Sequence, residues 1–239
     1  MSKKIIIVGA SSGIGKELAR IFSGHDYIVG ITARRFELLS EVAKELSGSS
    51  IVKRMDLANP DEAGSLLEEL IKEMGGIDII VISAGIGFLN PDLTWKKEKD
   101  AIDVNVTGFA AIANVAMKHF LKQGRGHLVG ISSIAAIRGD SLAPAYSASK
   151  AFMSNYLEAL RLKTLKMRLP IVITDIQPGF VDTAMAQGDG LFWVASPKKA
   201  AHQIFNVIEK RRKHAYITRR WRFVAWIFKI VPDWLLAKI

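Results

Sequence analysis

The opening of the chain does most to constrain its fold. Residues 4–8 read KIIIV, with no polar residue after Lys4. Uninterrupted β-branched runs suit strands covered on both faces, as in parallel sheets, better than strands with one face in water. Gly9-Ala10-Ser11-Ser12-Gly13-Ile14-Gly15 follows at once, and residues 16–22 (KELARIF) carry Leu18, Ile21 and Phe22 at helical spacing. Strand, glycine turn and helix in that order are the context a dinucleotide fingerprint needs. The glycines let the backbone turn tightly and approach a pyrophosphate, and the helix N-terminus offers free N–H groups and a positive dipole end. The spacing is G-x-x-x-G-x-G, with Ser11 and Ser12 inside the loop, and not the G-x-G-x-x-G of two-domain dehydrogenases.

The same alternation continues along the chain. Apolar runs predict strands at 5–8, 27–32, 50–55, 77–83, 126–131, 171–177 and 215–218, and helical spacing predicts helices at 13–23, 36–46, 60–74, 96–123, 145–168 and 197–212. This pattern argues an α/β fold: a three-layer, Rossmann-type, doubly wound parallel sheet of about seven strands with helices on both faces. Ligands of such sheets bind beyond the carboxyl ends of the strands. The glycine loop, Arg34, Asp56, Ser83 and Ser133 all fall at or just past strand ends.

Tyr146 and Lys150 lie one helical turn apart and share a face. With four Tyr and twenty Lys in 239 residues, an accidental Tyr-x-x-x-Lys arises in roughly one such chain in three, so the pair means little alone. Its surroundings mean more. Ser147, Ala148, Ser149 and Ala151 are small and leave room for a cofactor, and Ser133 follows the apolar strand HLVGI. A free tyrosine has a pKa of about 10 and is a poor acid–base group at neutral pH. A nearby ammonium and a cationic nicotinamide both favour phenolate, so this pair is expected to lower it.

Taken together, the glycine loop, Asp56-Leu57, Asn105-Val106-Thr107-Gly108, Ser132-Ser133, Tyr146-Ser147-Ala148-Ser149-Lys150, and Pro178-Gly179 followed by Thr183 resemble the short-chain dehydrogenase/reductase family in its single-domain branch. The match covers most of residues 4–183 in the family's order. Val8 departs from the usual Thr, and Ser83-Ala84-Gly85 stands where the family usually has Asn-Ala-Gly. The resemblance implies a catalytic set of Asn105, Ser133, Tyr146 and Lys150. Tyr146 would be the general acid/base, Lys150 would hold the nicotinamide ribose, Ser133 would orient the substrate oxygen, and Asn105 would brace a water chain. The thirteen-residue step from Ser133 to Tyr146 is the family's own. It further implies cofactor contacts from Gly9, Ser11, Ser12, Gly13, Ile14, Gly15, Leu57, Ser83, Ala84, Gly85, Asn105, Tyr146, Lys150, Pro178, Gly179 and Thr183, with Asp56 on the adenine amino group.

Cofactor choice is read at the end of the second strand. An NAD site usually places Asp or Glu there, on the ribose 2′-hydroxyl. Here the stretch is Gly30-Ile31-Thr32-Ala33-Arg34-Arg35, with no carboxylate before Glu37. Two forked cations favour a 2′-phosphate, hence NADP, with NADPH preferred over NADH. The resemblance implies Arg34 as the first contact and Arg35 as the second.

Composition bounds the rest. A chain of 239 residues with 49% hydrophobic and 23% charged residues is ordinary for one α/β domain. There is no cysteine, which excludes disulfides and thiolate catalysis. The five His show no metal-ligand spacing, so no metal is expected. The apolar run near the N-terminus is too short for a signal peptide and serves better as a strand, so the protein is expected to be cytoplasmic.

Residues 1–218 therefore form the catalytic domain, and residues 219–239 (RRWRFVAWIFKIVPDWLLAKI) a basic, Trp-rich tail. From 209 to 239 there are nine Lys/Arg against Glu209 and Asp233, and three of the five Trp lie in the tail. Lys229, Pro232 and Asp233 break its apolar stretches, so no spanning helix is expected. Two short amphipathic helices fit, with Trp221, Trp226, Phe228, Trp234 and Leu235 facing an anionic membrane and Arg219, Arg220, Arg222 and Lys238 flanking them. The competing reading packs this tail over the cleft or against a second subunit.

The function read from all this is an NADP-dependent oxidoreductase that interconverts a carbonyl and an alcohol on an apolar, lipid-like substrate. Phe88, Leu142, Leu191, Phe192 and Trp193 are expected to line its cleft, alongside Ser133 and Tyr146. The resemblance adds a homodimer or homotetramer through the helices at 96–123 and 145–168. One alternative is a reductase of acyl groups on an acidic carrier protein, docked by the basic tail. Another is a non-catalytic NADP-binding sensor or membrane scaffold, disfavoured by the intact Ser133, Tyr146 and Lys150. No nucleic-acid-binding module is recognisable.

Overall fold

A computed structural model describes residues 2–185 and 192–236. Seven parallel strands form one sheet in the order β3-β2-β1-β4-β5-β6-β7. They are β1 (Lys4–Val8), β2 (Ile28–Ala33), β3 (Ser50–Arg54), β4 (Ile79–Ile82), β5 (Gly126–Ile131), β6 (Ile171–Pro178) and β7 (His214–Ile217). The helices are α1 (Gly13–Ser23), α2 (Phe36–Lys44), α3 (Pro60–Glu73), α4 (Trp95–Ile102), α5 (Phe109–Gln123), α6 (Pro144–Lys166), α7 (Pro197–Glu209), α8 (Trp221–Ile230) and α9 (Asp233–Leu236). The doubly wound sheet expected from the sequence is the sheet that forms.

The continuous apolar run of β1 has its explanation in the layers. Ile5 and Ile7 join one core with Leu18 and Phe22 of α1, Leu39 of α2 and Ile204 of α7. Ile6 and Val8 join a second core with Leu67 of α3, Phe120 of α5 and Leu157 of α6. Both faces are dry, so alternation with polar residues has no place.

Strand order reverses beside β1. The chain runs outward through β2 and β3, then returns to place β4 on the other side of β1. Val8 pairs with Thr32 in β2 and with Ile82 in β4, so the three carboxyl ends diverge at one level. The crevice left at such a reversal is where ligands of open α/β sheets bind.

The predicted helix at 96–123 is interrupted. Between α4 and α5, Asp103–Gly108 forms one π-helical turn. A side chain on Gly108 would overlap the carbonyl of Leu57, so the turn is pulled tight onto the loop after β3. The wider turn leaves Asn105 fully buried. Single π turns inside α-helices often sit at functional sites.

The tail forms two short helices, as expected, but is not a separate unit. Trp221 and Ala225 are each 1% exposed and form a third cluster with Ile134, with Phe180 and Tyr216 packed against it. Trp221 therefore does not belong to an outward apolar face. That face consists of Phe223, Trp226, Ile227 and Ile230, with Trp234 and Leu235 on α9, all exposed.

Candidate active site

The carboxyl ends of the strands enclose a cavity of about 550 Å³. One end is the glycine loop. Gly9 has φ +91°, and a Cβ there would collide with the backbone of Ala84. Both Gly9 and Ala10 donate to Thr32 O, at 2.8 and 3.0 Å, which ties the loop to β2. A Cβ on Gly15 would overlap the carbonyl of Gly9. Gly13 has φ +56° and faces the Thr183 methyl. The loop thus passes close under α1 with its backbone toward the cavity, which a phosphate ligand requires.

Arg34 and Arg35 form part of the wall, as do Asp56 and Leu57. Arg35 reaches across to the loop, donating to Ser12 Oγ at 2.9 Å and Ser11 Oγ at 3.2 Å. Arg34 is exposed at the mouth, at the end of β2. On the other side of β1, Ser83 and Ala84 both donate to Val8 O at 2.8 Å.

The polar residues of the second half converge here. Ser133 follows β5, and its hydroxyl accepts from Ala135 N at 3.1 Å, capping a 3₁₀ turn over Ile134–Ala136. Tyr146 and Lys150 project from α6, with the lysine nitrogen 5.7 Å from the tyrosine ring centre. Lys150 is 4% exposed and donates to Ile131 O at 3.1 Å. Burial pulls its pKa down to about 8, opposed by the Asp175 carboxylate. Burial pushes the Tyr146 phenol up, opposed by a hydrogen bond with Ser133. In the protein alone, desolvation of the phenolate outweighs the Ser133 hydrogen bond; the expected lowering also invoked a cationic nicotinamide.

Most of the residues expected at the cofactor line the cavity, Ile14, Gly85, Pro178, Gly179 and Thr183 among them. Gly15 and Asn105 do not. Asn105 Oδ1 accepts from Ile86 N at 2.9 Å, and its Nδ2 donates to Ile86 O at 2.7 Å and Ser149 Oγ at 3.0 Å. It pins the loop after β4 to α6.

The apolar end differs from expectation as well. Phe88 lines it, joined by Leu89, Ile134, Phe180, Val181 and Met185. Leu142 is 51% exposed in the turn before α6 and is not in the wall. Phe192 and Trp193 are not in it either, because Trp221 takes them. Phe192 stacks on the Trp221 indole at 5.0 Å and Trp193 meets its edge at 6.1 Å. Leu191 lies outside the described residues.

With this geometry in hand, residues 3–190 match the sequence model of the short chain dehydrogenases. The chain belongs to the short-chain dehydrogenase/reductase family. It is 34% identical over 185 residues to an uncharacterised oxidoreductase of Myxococcus xanthus (strain DK1622), covering 75% of this chain and 72% of the relative. Its fold is similar to a short-chain dehydrogenase/reductase from Burkholderia phymatum in complex with NAD, with TM-score 0.85, 19% identity, and 95% and 92% of the two chains covered. It is also similar to an alcohol dehydrogenase from Thermococcus sibiricus complexed with 5-hydroxy-NADP, with TM-score 0.77, 18% identity, and 90% and 96% covered. The protein is thus an NAD(P)-dependent oxidoreductase of this family.

Three features of this short-chain dehydrogenase/reductase escaped the sequence reading. A Cβ on Gly87 would lie 2.7 Å from the Tyr146 ring, so that glycine clears the space in which the phenol sits. Gly87 follows the Ser83-Ala84-Gly85 motif by two residues, which is the signal that could have found it. Trp221 holds the segment at 192–193 from a point far along the chain. Asp175, inside strand β6, is 3% exposed.

Proposed function

We propose that this enzyme uses NADP(H) to interconvert a carbonyl and an alcohol on an apolar, lipid-like substrate. The reading is carried by one observation: Ser133, Tyr146 and Lys150 meet in the same cavity as the glycine loop. The backbone cradle at Gly9, Gly13 and Gly15, which added Cβ atoms would fill or strain, fits a dinucleotide. Gly9, Ser11, Ser12, Gly13 and Ile14 would hold its phosphates, Asp56 and Leu57 its adenine end, and Ser83 to Gly85, Lys150, Pro178, Gly179 and Thr183 the remainder. When bound, a nicotinamide supplies or accepts the hydride.

The protein's own groups manage the oxygen. In reduction, the Tyr146 hydroxyl gives its proton to the carbonyl oxygen as the alcohol forms. The Ser133 hydroxyl donates a hydrogen bond to that oxygen and fixes its position. The phenolate left on Tyr146 is stabilised by the Lys150 ammonium until a proton returns from solvent. In alcohol oxidation the same groups act in reverse.

NADPH preference is supported by Arg34 and Arg35 at the end of β2, where no carboxylate stands before Glu37. The apolar substrate class is supported by Phe88, Leu89, Phe180, Val181 and Met185 at the far end of the cavity. Exposed apolar residues on α6, including Phe152, Leu162 and Leu165, support a homodimer or homotetramer.

A cytoplasmic enzyme that also meets an anionic membrane surface is the last part of this reading. Phe223, Trp226, Ile227 and Ile230 stand outward among the exposed Arg219, Arg220, Arg222 and Lys229. Asp233, the acidic residue of that face, is paired with Arg138. No helix among the described residues is long and apolar enough to cross a membrane, so the contact would be peripheral.

The test is NADPH oxidation with a panel of aldehydes, ketones, sterols and 3-oxoacyl thioesters. Turnover that rises with the apolar character of the carbonyl is expected. Tight NADPH binding with no turnover across the panel would favour the non-catalytic alternative.

A further inference from the structure

A carboxylate lies buried under the site, and the proposed proton transfer does not use it. Asp175 is in β6, paired with Gly130 of β5. It accepts from Ser132 Oγ, from Ser154 Oγ at 2.5 Å and from Gln177 Nε2 at 3.0 Å. Moving an ion out of water forfeits its solvation, which neutral donors restore only in part. A buried carboxylate therefore calls for a cation nearby.

Lys150 is the buried cation on the same elements. Its nitrogen rests on Ile131 O, and the next residue, Ser132, is the one bonded to Asp175. Ser154, a second partner of Asp175, lies one turn beyond Lys150 on α6. Both charges are thus held by the end of β5 and by one face of α6. The other titratable groups around them include Tyr146 beside Lys150, and His214 and Tyr216 of β7, which feel the Asp175 charge; Lys229 of α8 and Arg161 of α6 act on His214 in the opposite direction.

We propose that Asp175 is the buried counter-charge that keeps Lys150 an ammonium ion, and is thereby a positioning residue for the reaction. Burial alone favours the neutral amine, which could neither stabilise the Tyr146 phenolate nor make charge-assisted bonds to a ribose. The carboxylate acts against burial, and Lys150 stays largely protonated at neutral pH. This rests on the assignment of Lys150 to the site, and not on the identity of the substrate.

The test uses ligand-free, full-length protein. The Lys150 side-chain carbon is followed by NMR against pH, with Lys150→Met to identify its signal. Asp175→Asn keeps the shape and removes the charge, and is expected to lower the Lys150 midpoint by about one pH unit or more. Ser132→Ala removes a hydrogen bond but no charge, and should move the midpoint much less. Asp175→Ser also removes the charge, should lower the midpoint in the same direction, and serves where Asp175→Asn does not fold. NADPH affinity, read by fluorescence, should fall more between pH 6.5 and 8 in Asp175→Asn than in wild type. An unmoved Lys150 midpoint in the charge-removing variants at Asp175, or an equal shift in Ser132→Ala, would overturn the proposal. Failure of the carbonyl panel would leave these titrations untouched.

Discussion

The indole of Trp221 fills the space that a side chain on Gly179 would need. Gly179 stands in the cavity wall, and its amide donates to Ile217 O at 2.6 Å. It therefore serves the cavity on one side and seats the tail on the other. Gly179→Ala should displace α8 and destabilise the protein by about 1–3 kcal/mol, as overpacking of a tight interior does. Trp221→Ala should cost about 3–5 kcal/mol through the lost packing. In the double variant the alanine at 179 has room, so the two losses should fall short of additive. Additive losses in denaturant melts would show that the two residues do not share this space.

Tyr146→Phe should abolish turnover and leave NADPH binding nearly unchanged. The ring still packs against Gly87, but no proton can be given. Retention of more than a few per cent of kcat would place the acid elsewhere.

The arginines separate by role. Arg34 is exposed at the mouth, whereas Arg35 is engaged with Ser11 and Ser12. Arg34→Ala should weaken NADPH by roughly 1.5–3 kcal/mol, about ten- to a hundredfold, and leave NADH almost unaffected. Arg35→Ala should weaken both cofactors, because it also loosens the phosphate loop. Wild-type preference for NADH in equilibrium titrations would refute the cofactor assignment.

Acid should destabilise the fold through His127. This side chain is 5% exposed, lies 2.8 Å from Thr174 Oγ1 and has its pKa pulled down to about 3, first by burial and then by Arg211. A depressed value means the fold holds the neutral ring. Its contribution is complete above the unfolded pKa of about 6.5 and is lost as pH falls from there toward 3. Melting temperature should decline more steeply over that window in wild type than in His127→Gln. Parallel curves would assign acid lability to other groups.

Membrane contact is tested on the outward face alone, because cutting the chain at 218 would also remove the buried Trp221. Flotation with anionic liposomes should retain wild type and lose Trp226→Glu/Ile230→Glu, with melting temperature and NADPH affinity unchanged. Rising salt should weaken retention without abolishing it, since the apolar part is unscreened. If wild type stays in the soluble fraction, and the variant instead changes its oligomeric state, that face is a contact between subunits.

Much of this molecule is written locally. The glycine loop, the alternation of strands and helices, and the turn between Tyr146 and Lys150 each depend on spacing within a few residues. What escaped depends on distant partners. Gly108 is visible in the sequence, but its close approach to Leu57, which accompanies the π turn over Asp103–Gly108, is a contact between distant segments. Phe192 and Trp193 read as cleft residues until Trp221 claims them. Trp221 and Trp226 look alike in a Trp/Arg-rich segment, and only packing against Phe180 sends one inward. The burial that raises the Tyr146 phenol in the protein alone is a property of the assembled domain, which local spacing does not carry.

The strand order also sets how the chain must come together on the ribosome. The central strand, β1, precedes both its partners in the chain, and one of its edges is paired only when residues 79–82 of β4 emerge. Until then an open, wholly apolar strand edge is available to any other chain. The glycine loop arrives with the first strand and the Tyr146–Lys150 pair only after β5, so truncated products are sticky and inert together. Activity can therefore report on complete assembly of the sheet around β1.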